Sequence, residues 1–353
     1  MTAHKGRGAV GHTRHRFDSR PVESTEEEAW DAAQTAPQTV LRPMQARSII
    51  SYNESPDIPF DRSINPYLGC EHGCVYCYAR PSHSYLDLSP GLDFETQIFY
   101  KPNATERLLA EWEKPAYTCV PITIGANTDP YQPVEREQRL TRQLLETFLR
   151  HRHPVSLISK GTLMRRDLDL LRELAADNLC SVAISIPTMN NDLKRIMEPR
   201  VPAATARLRL IEELSAAGVP CTLLMAPVIP AVNDREIETI VARAADSGVQ
   251  RAAWILLRLP HELRSIFADW LDEHLPDRAQ HVLSLLRQAH GGQDYDSRFG
   301  IRQTGRGPLA TMLSQRFGAA CRRAGIVYGE NLQELDCSLF QKPGTAQFDL
   351  PFS

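Results

Sequence analysis

Short apolar runs alternate with amphipathic segments from Ile64 to Leu259. Cys119 to Ile124 reads as a strand ended by Gly125, and Leu140, Leu144, Leu145, Phe148 and Leu149 then recur at helical spacing. Val155 to Ile158 is the next strand, Leu168, Leu171 and Leu174 mark a second helix, and Ser181 to Ile186 returns as strand. Leu208, Ile211 and Leu214 mark a third helix, which Gly218 closes because glycine readily enters the left-handed conformation of a helix C-terminus. Cys221 to Met225, a helix through Ile237, Ile240 and Val241 ending near Gly248, and the run Ala252 to Leu257 complete the series. The run before Cys70 supplies the first strand. Strands apolar on both faces suit a buried parallel sheet, and strand–helix–strand repeats build right-handed βαβ units. About six such units without hairpin signals predict an α/β fold, a partial (β/α)6 TIM-like barrel, because a full barrel has about eight. A doubly wound sheet is the alternative.

Beyond Pro260 the pattern turns helical, over 261–274, 276–290 and 308–324, the last two opening on a proline that suits a first helical turn. Four stretches follow: an unstructured segment 1–40 with few large apolar groups, a core 41–260, a helical extension 261–335 closing one side of the barrel, and a tail 336–353. The 353 residues are 42% hydrophobic, enough for a substantial core. No apolar run approaches the roughly 20 residues of a membrane span, and the N-terminus has no signal-peptide pattern. A cytoplasmic protein without membrane contact is expected.

Eight cysteines without a secretory signal argue against a disulfide framework. Cys119, Cys180 and Cys221 sit in apolar runs and read as small buried hydrophobes; Cys321 and Cys337 stay open. The net charge of −3 says little, but from Arg298 to Gly329 there are six arginines and no acid. Such a stretch either faces a polyanion or pairs with acids elsewhere.

One loop carries distinctive chemistry: Gly69-Cys70-Glu71-His72-Gly73-Cys74-Val75-Tyr76-Cys77-Tyr78. Thiolates are soft ligands, and a [4Fe–4S] cube ordinarily takes four. Three leave one iron without a protein ligand, an open position suited to catalysis. The other strand ends gather polar groups as well, as parallel α/β folds do at their reactive rim. These are Asn127-Thr128-Asp129-Pro130-Tyr131-Gln132-Pro133, Lys160, Ser185, Glu198-Pro199-Arg200, the stretch from Pro227 to Asp234, and Arg258.

The Cys-x3-Cys-x2-Cys loop, with Tyr76 before its last cysteine, resembles the radical S-adenosylmethionine superfamily. Cys-Val-Tyr-Cys-Tyr-Ala-Arg and Asn-Thr-Asp-Pro-Tyr-Gln-Pro are similar to the branch containing spore photoproduct lyase, the DNA-repair-photolyase-like group. The resemblance implies that Cys70, Cys74 and Cys77 hold three irons of a [4Fe–4S] cluster, while the fourth binds S-adenosylmethionine. One-electron reduction, from a reductant such as flavodoxin or ferredoxin, would then yield methionine and a 5′-deoxyadenosyl radical that abstracts hydrogen from a substrate. It further implies Tyr76 beside the adenine, Asn127, Thr128 and Asp129 near the methionine amino group, Lys160 and Arg200 near its carboxylate, and Ser185 near the ribose. Arg258 and Tyr131 are candidates for substrate contact; no catalytic residue is assigned. Two departures stand out. The superfamily's usual Gly-Gly-Glu is replaced by Asn-Thr-Asp, and no cysteine occurs between Pro121 and Cys180, where spore photoproduct lyase has the thiol that returns a hydrogen atom.

A lyase-like or transferase-like radical enzyme acting on nucleic acid is the leading expectation. Radical chemistry on a small metabolite or peptide is one rival. A non-catalytic iron–sulfur or zinc module, with His72 or His83 as fourth ligand, is another, although three cysteines without a second pair fit zinc poorly. The tail Gln347-Phe348-Asp349-Leu350-Pro351-Phe352-Ser353 resembles the peptide by which bacterial repair proteins dock on the sliding clamp, with Leu350 and Phe352 in an apolar groove and Gln347 as polar anchor. A peptide of residues 341–353 is expected to bind the clamp in a titration and Gln347→Ala to abolish binding; a silent wild-type titration would end the idea.

Overall fold

The computed structural model of the chain describes residues 4–18, 38–329 and 334–344. Its strands are β1 (Val40–Pro43), β2 (Ile50–Tyr52), β3 (Arg62–Ile64), β4 (Tyr67–Leu68), β5 (Gln97–Tyr100), β6 (Ile122–Ile124), β7 (Val155–Ser159), β8 (Cys180–Ser185), β9 (Cys221–Val228), β10 (Arg251–Leu256) and β11 (Val327–Tyr328). An 8-stranded sheet runs β11-β10-β9-β8-β7-β6-β3-β2. All its pairings are parallel except β2 with β3. From β3 to β10 this is the expected partial barrel.

Burial alternates along the strands, so the two faces differ. Leu157, Val182, Ile184, Leu223, Met225 and Trp254 point outward into the main core beneath the helices. That layer comprises Leu140–Arg150, Leu168–Ala176, Ala204–Ala216 and Ile237–Asp246, at the positions their periodicity predicts. The intervening Ile158 and Leu224 line a cavity at one mouth of the barrel, and Thr123, Ser156 and Ser181 line one at the other. The inner face is therefore not sealed, because a partial barrel leaves room that side chains do not fill.

Two features correct the sequence reading, and a third decides between its alternatives. Residues 4–18 are packed rather than unstructured, with Ala9 and Val10 buried; their anchors are backbone amides, which a count of apolar side chains does not register. The region 261–335 is helical over Leu263–His274, Ala279–Ala289 and Pro308–Arg323, but then returns to the sheet, Val327 and Tyr328 pairing with Arg251 and Ala252. Arg298, Arg302 and Arg316 are ion-paired with Asp296, Asp57 and Glu238 at 2.6, 2.6 and 2.9 Å, which answers much of the basic stretch internally. A smaller sheet, β1-β5-β4, was also not anticipated.

Cys180, Cys221 and Cys321 are buried, whereas Cys119 and Cys337 are half-buried. Phe340 packs against Trp112, Tyr117 and His153, docking the start of the tail. Gln347, Leu350 and Phe352 lie outside the described residues. Among the described residues no helix is long and apolar enough to cross a membrane.

Ile184 is fully buried between sheet and helices. Ile184→Ala is expected to cost about 2–5 kcal/mol of unfolding free energy, from lost burial plus a residual cavity, as read by urea denaturation.

Candidate active site

The cysteine loop leaves β4 at Leu68, and its course is held largely through the backbone. Cys70 N–H donates to Phe94 O at 2.9 Å and Val75 N–H to Met197 O at 3.1 Å. Gln132, fully buried, accepts from Glu71 N–H at 2.9 Å and donates to Gly69 O at 3.2 Å. Arg80, also fully buried, donates from Nε to Cys74 O at 2.9 Å and pairs with buried Glu95. Gly73 sits at φ 66°, where an added Cβ would lie 2.7 Å from Glu95 Oε2. The loop turns there without a side chain because nothing else fits.

Above the loop lies a cavity of about 210 Å³. Cys70, Cys74 and Cys77 share its wall with Tyr76, Asn127, Asp129, Lys160, Ser185 and Arg258. Much of the remainder is apolar, from Ile158, Leu224, Ile255 and Leu257. Lys160 Nζ donates to Ser185 Oγ and stands 3.7 Å from Glu198 Oε1 and 5.6 Å from the centre of the Tyr76 ring. Glu198 is fully buried, accepts from the Tyr76 hydroxyl, and takes Arg207 Nη2 at 2.9 Å. Burial alone would raise the Glu198 carboxyl, but the charges of Arg207 and Lys160 with the Tyr76 hydrogen bond hold it below its ordinary range. Burial, Cys74 and Glu198 push the Tyr76 phenol up, so it remains a donor. Arg258 stacks over the Tyr78 ring at 4.8 Å, and among the described residues no acid forms an ion pair with it.

The sequence candidates divide on this geometry. Asn127 reaches the cavity, its amide fixed by Asn65 Oδ1 at 2.8 Å. Thr128 does not line it: its hydroxyl is turned away to Tyr67 O at 2.9 Å. Asp129 lines the wall but is committed to protein donors, accepting from Ser159 Oγ and Lys160 N–H at 2.7 Å each and from Tyr131 N–H at 2.9 Å, with His72 Nδ1 at 3.2 Å. Against the penalty of burial, these partners lower its carboxyl to about 2. Arg200 lies outside the cavity, 3.3 Å from Glu71, because the turn after Glu198 carries it away. Tyr131 is buried in the core and does not line the cavity either. Gln132, Glu198, Asn65 and Glu95 were not assigned roles from sequence. Gln132 and Glu198 lie inside quoted motifs, whereas Asn65 and Glu95 have no local signal.

The residues fit an iron–sulfur cluster with S-adenosylmethionine. Burial raises all three loop thiols above their ordinary value, so a cationic centre is needed to hold them as thiolates. Among the described residues no three His, Cys, Asp or Glu side chains close on a point for a single metal ion. His83, one proposed zinc ligand, instead meets Gln97 O at 3.0 Å.

A family model described as the radical SAM superfamily matches residues 64–244. A protein of Mycobacterium bovis is 36% identical over 233 residues, covering 65% of this chain and 68% of its own length. One of Methanocaldococcus jannaschii is 27% identical over 173 residues, 49% of this chain and 62% of its own. Spore photoproduct lyase complexed with dinucleoside spore photoproduct superposes with a TM-score of 0.61 at 15% identity, over 88% of this chain and 86% of that one. A mutant of that enzyme with bound AdoMet and the same dinucleoside gives 0.61 at 14% identity, over 91% and 89%. At such identities the likeness speaks for the fold.

Glu198→Gln leaves Arg207 buried without its counter-charge and is expected to cost about 3–5 kcal/mol. Because the folded-state value of Glu198 is depressed, its contribution is complete above the unfolded value near about 4.3 and is lost as pH falls through the lower folded one. Urea denaturation at a series of acidic pH values should show a flatter dependence in the variant than in the wild type.

Proposed function

Because the chain belongs to the radical S-adenosylmethionine superfamily, we propose that it abstracts hydrogen from a nucleic acid or nucleotide-like substrate held at the open side of the cysteine cavity. Its cofactors are a [4Fe–4S] cluster and S-adenosylmethionine. When bound, they supply one-electron cleavage of a sulfonium C–S bond and a carbon radical able to take hydrogen from a substrate. The observation that carries the reading is the common wall: three thiols, Tyr76, Lys160 and Ser185 face one cavity.

Cys70, Cys74 and Cys77 are the cluster ligands in this reading. Lys160, poised by Ser185 and Glu198, offers a half-buried ammonium to a carboxylate, where a charge-assisted hydrogen bond is stronger than a neutral one. Tyr76, locked by Glu198, offers a fixed ring edge and backbone to an adenine. Ile158, Leu224, Ile255 and Leu257 exclude water, which limits side reactions of a reactive intermediate. Arg258, with no ion-pair partner among the described residues and its plane against Tyr78, is the group that meets the substrate, through phosphate or through a stacked base.

The fold shared with an enzyme solved in complex with a dinucleoside supports the nucleic-acid class. The product is a different matter. Among the described residues no thiol other than the three loop cysteines lines the cavity, so hydrogen return by a second cysteine there is not part of the proposal. A small metabolite or peptide is the second reading, favoured by the internal pairing of Arg298, Arg302 and Arg316. A small reductant such as flavodoxin or ferredoxin supplies the electron in either case, and the clamp-like tail would bring the enzyme to replicating DNA in the first.

Two measurements test this. After anaerobic iron–sulfur reconstitution, Cys74→Ala is expected to lose iron and the cleavage of S-adenosylmethionine, whereas Lys160→Met keeps its iron and binds S-adenosylmethionine about tenfold to a hundredfold more weakly. Binding to DNA and RNA should weaken steeply with salt; no binding at low salt would overturn the nucleic-acid class and leave the metabolite reading.

A further inference from the structure

The segment 7–16 crosses the molecule at the cysteine loop without entering the cavity. The N–H groups of Gly8 and Ala9 donate to Glu95 Oε2 and Oε1 at 3.0 and 2.9 Å, so two successive amides hold both oxygens of one buried carboxylate. Arg7 Nη1 adds a bond to Glu95 O at 2.9 Å. Glu95 Oε1 is in turn 2.5 Å from Arg80 Nη2, and the Arg80 Nε–H reaches Cys74 O at 2.9 Å. A chain of hydrogen bonds thus runs from the segment's backbone to the carbonyl of the central cysteine.

Contact is direct as well. A Cβ on Gly8 would lie 1.8 Å from Gly73 O and 3.2 Å from Val75 N, so any side chain there pushes the segment off the loop. Ala9 and Val10 pack with Cys74, Val75 and Tyr76. Further on, Thr13 exchanges two hydrogen bonds with Ser89 Oγ, at 2.8 and 3.0 Å. Arg16 then grips Glu262, beyond β10, with Nη1 at 3.1 and 3.0 Å from its two oxygens. The segment therefore spans from the loop after the first strands to the chain just past the last strand of the six-stranded barrel.

We propose that residues 7–16 are a strap that fixes the cysteine loop and covers its side away from the cavity, with Gly8 and Glu95 as positioning residues for the cluster ligands. The consequence for the cluster rests on the iron–sulfur reading above; the clamping of the loop does not. Desolvating that side limits entry of water and small solutes, and fixing Cys74 O limits the excursions by which a thiolate leaves its iron.

The test uses the full chain with Gly8→Ala and, as an exposed control, Lys5→Ala. In the iron-free protein, hydrogen exchange at the amides of Cys74 to Cys77 is expected to quicken about tenfold in Gly8→Ala, as for a local opening made easier, and to stay unchanged in Lys5→Ala. In the reconstituted protein, bleaching of cluster absorbance by an iron chelator should accelerate by a similar factor, with the unfolding midpoint of the barrel retained. Wild-type exchange rates in Gly8→Ala would overturn the proposal. Should Gly8→Ala fail to fold, Ser89→Ala, which frees the middle of the strap, decides by the same exchange measurement: faster exchange supports the strap and unchanged exchange overturns it. A wild-type chain that takes up no cluster while Gly8→Ala still quickens exchange would refute the iron–sulfur reading and leave the clamp standing.

Discussion

Two fully buried carboxylates hold the cysteine loop, and the rest of the site depends on both being matched. Glu95 takes Arg80 and two backbone amides; Glu198 takes Arg207 and the Tyr76 hydroxyl, with Lys160 nearby. A buried charge is tolerable only when its partners and hydrogen bonds are complete. Each carboxylate therefore dictates where several distant groups must lie. The loop has few side chains of its own with which to form a core, so it borrows order from these two charges and from the amide of Gln132.

Lys160 illustrates the difference between a charge that binds and a charge that builds. Its ammonium is near Glu198 but remains on the cavity wall, whereas Arg207, on the same carboxylate, is wholly enclosed. One cation neutralises the buried anion and the other is left facing the space where a ligand would sit. Asp129 shows the opposite outcome. Its position in the rim made it a candidate ligand group, yet three protein donors and the His72 ring surround it, and it serves to join the ends of β6 and β7 to the loop.

The barrel was legible because its signal is local: strands of four to eight apolar residues, separated by helical periodicity, are visible in a short window. All five strands foreseen between Cys119 and Leu257 appear within a few residues of their expected limits. That the three thiols, Lys160 and Ser185 share one rim was legible for the same reason, as polar or soft groups at strand ends. Glu95 was not, because its partners Gly8 and Ala9 are 87 and 86 residues away in sequence and bind through backbone. Arg200 and Tyr131 lie off the cavity because placing a residue near a strand end says nothing about which way a turn carries its side chain. Val327 and Tyr328 were absorbed into a helical region because a two-residue strand is too short to leave a pattern.

The small sheet β1-β5-β4 gives the loop a further property. Leu68 of β4 pairs with Phe99 of β5, so the excursion that carries all three cysteines leaves and rejoins the protein across one antiparallel rung. Its ends are brought together by that pairing and not by the cysteines, which means that the entropy of closing the loop is met before any metal arrives. The excursion behaves as a cassette clipped at one mouth of the barrel. Residues within it can change without altering the strand register, because the pairing of β4 with β5 keeps its two ends together independently of what the cysteines hold.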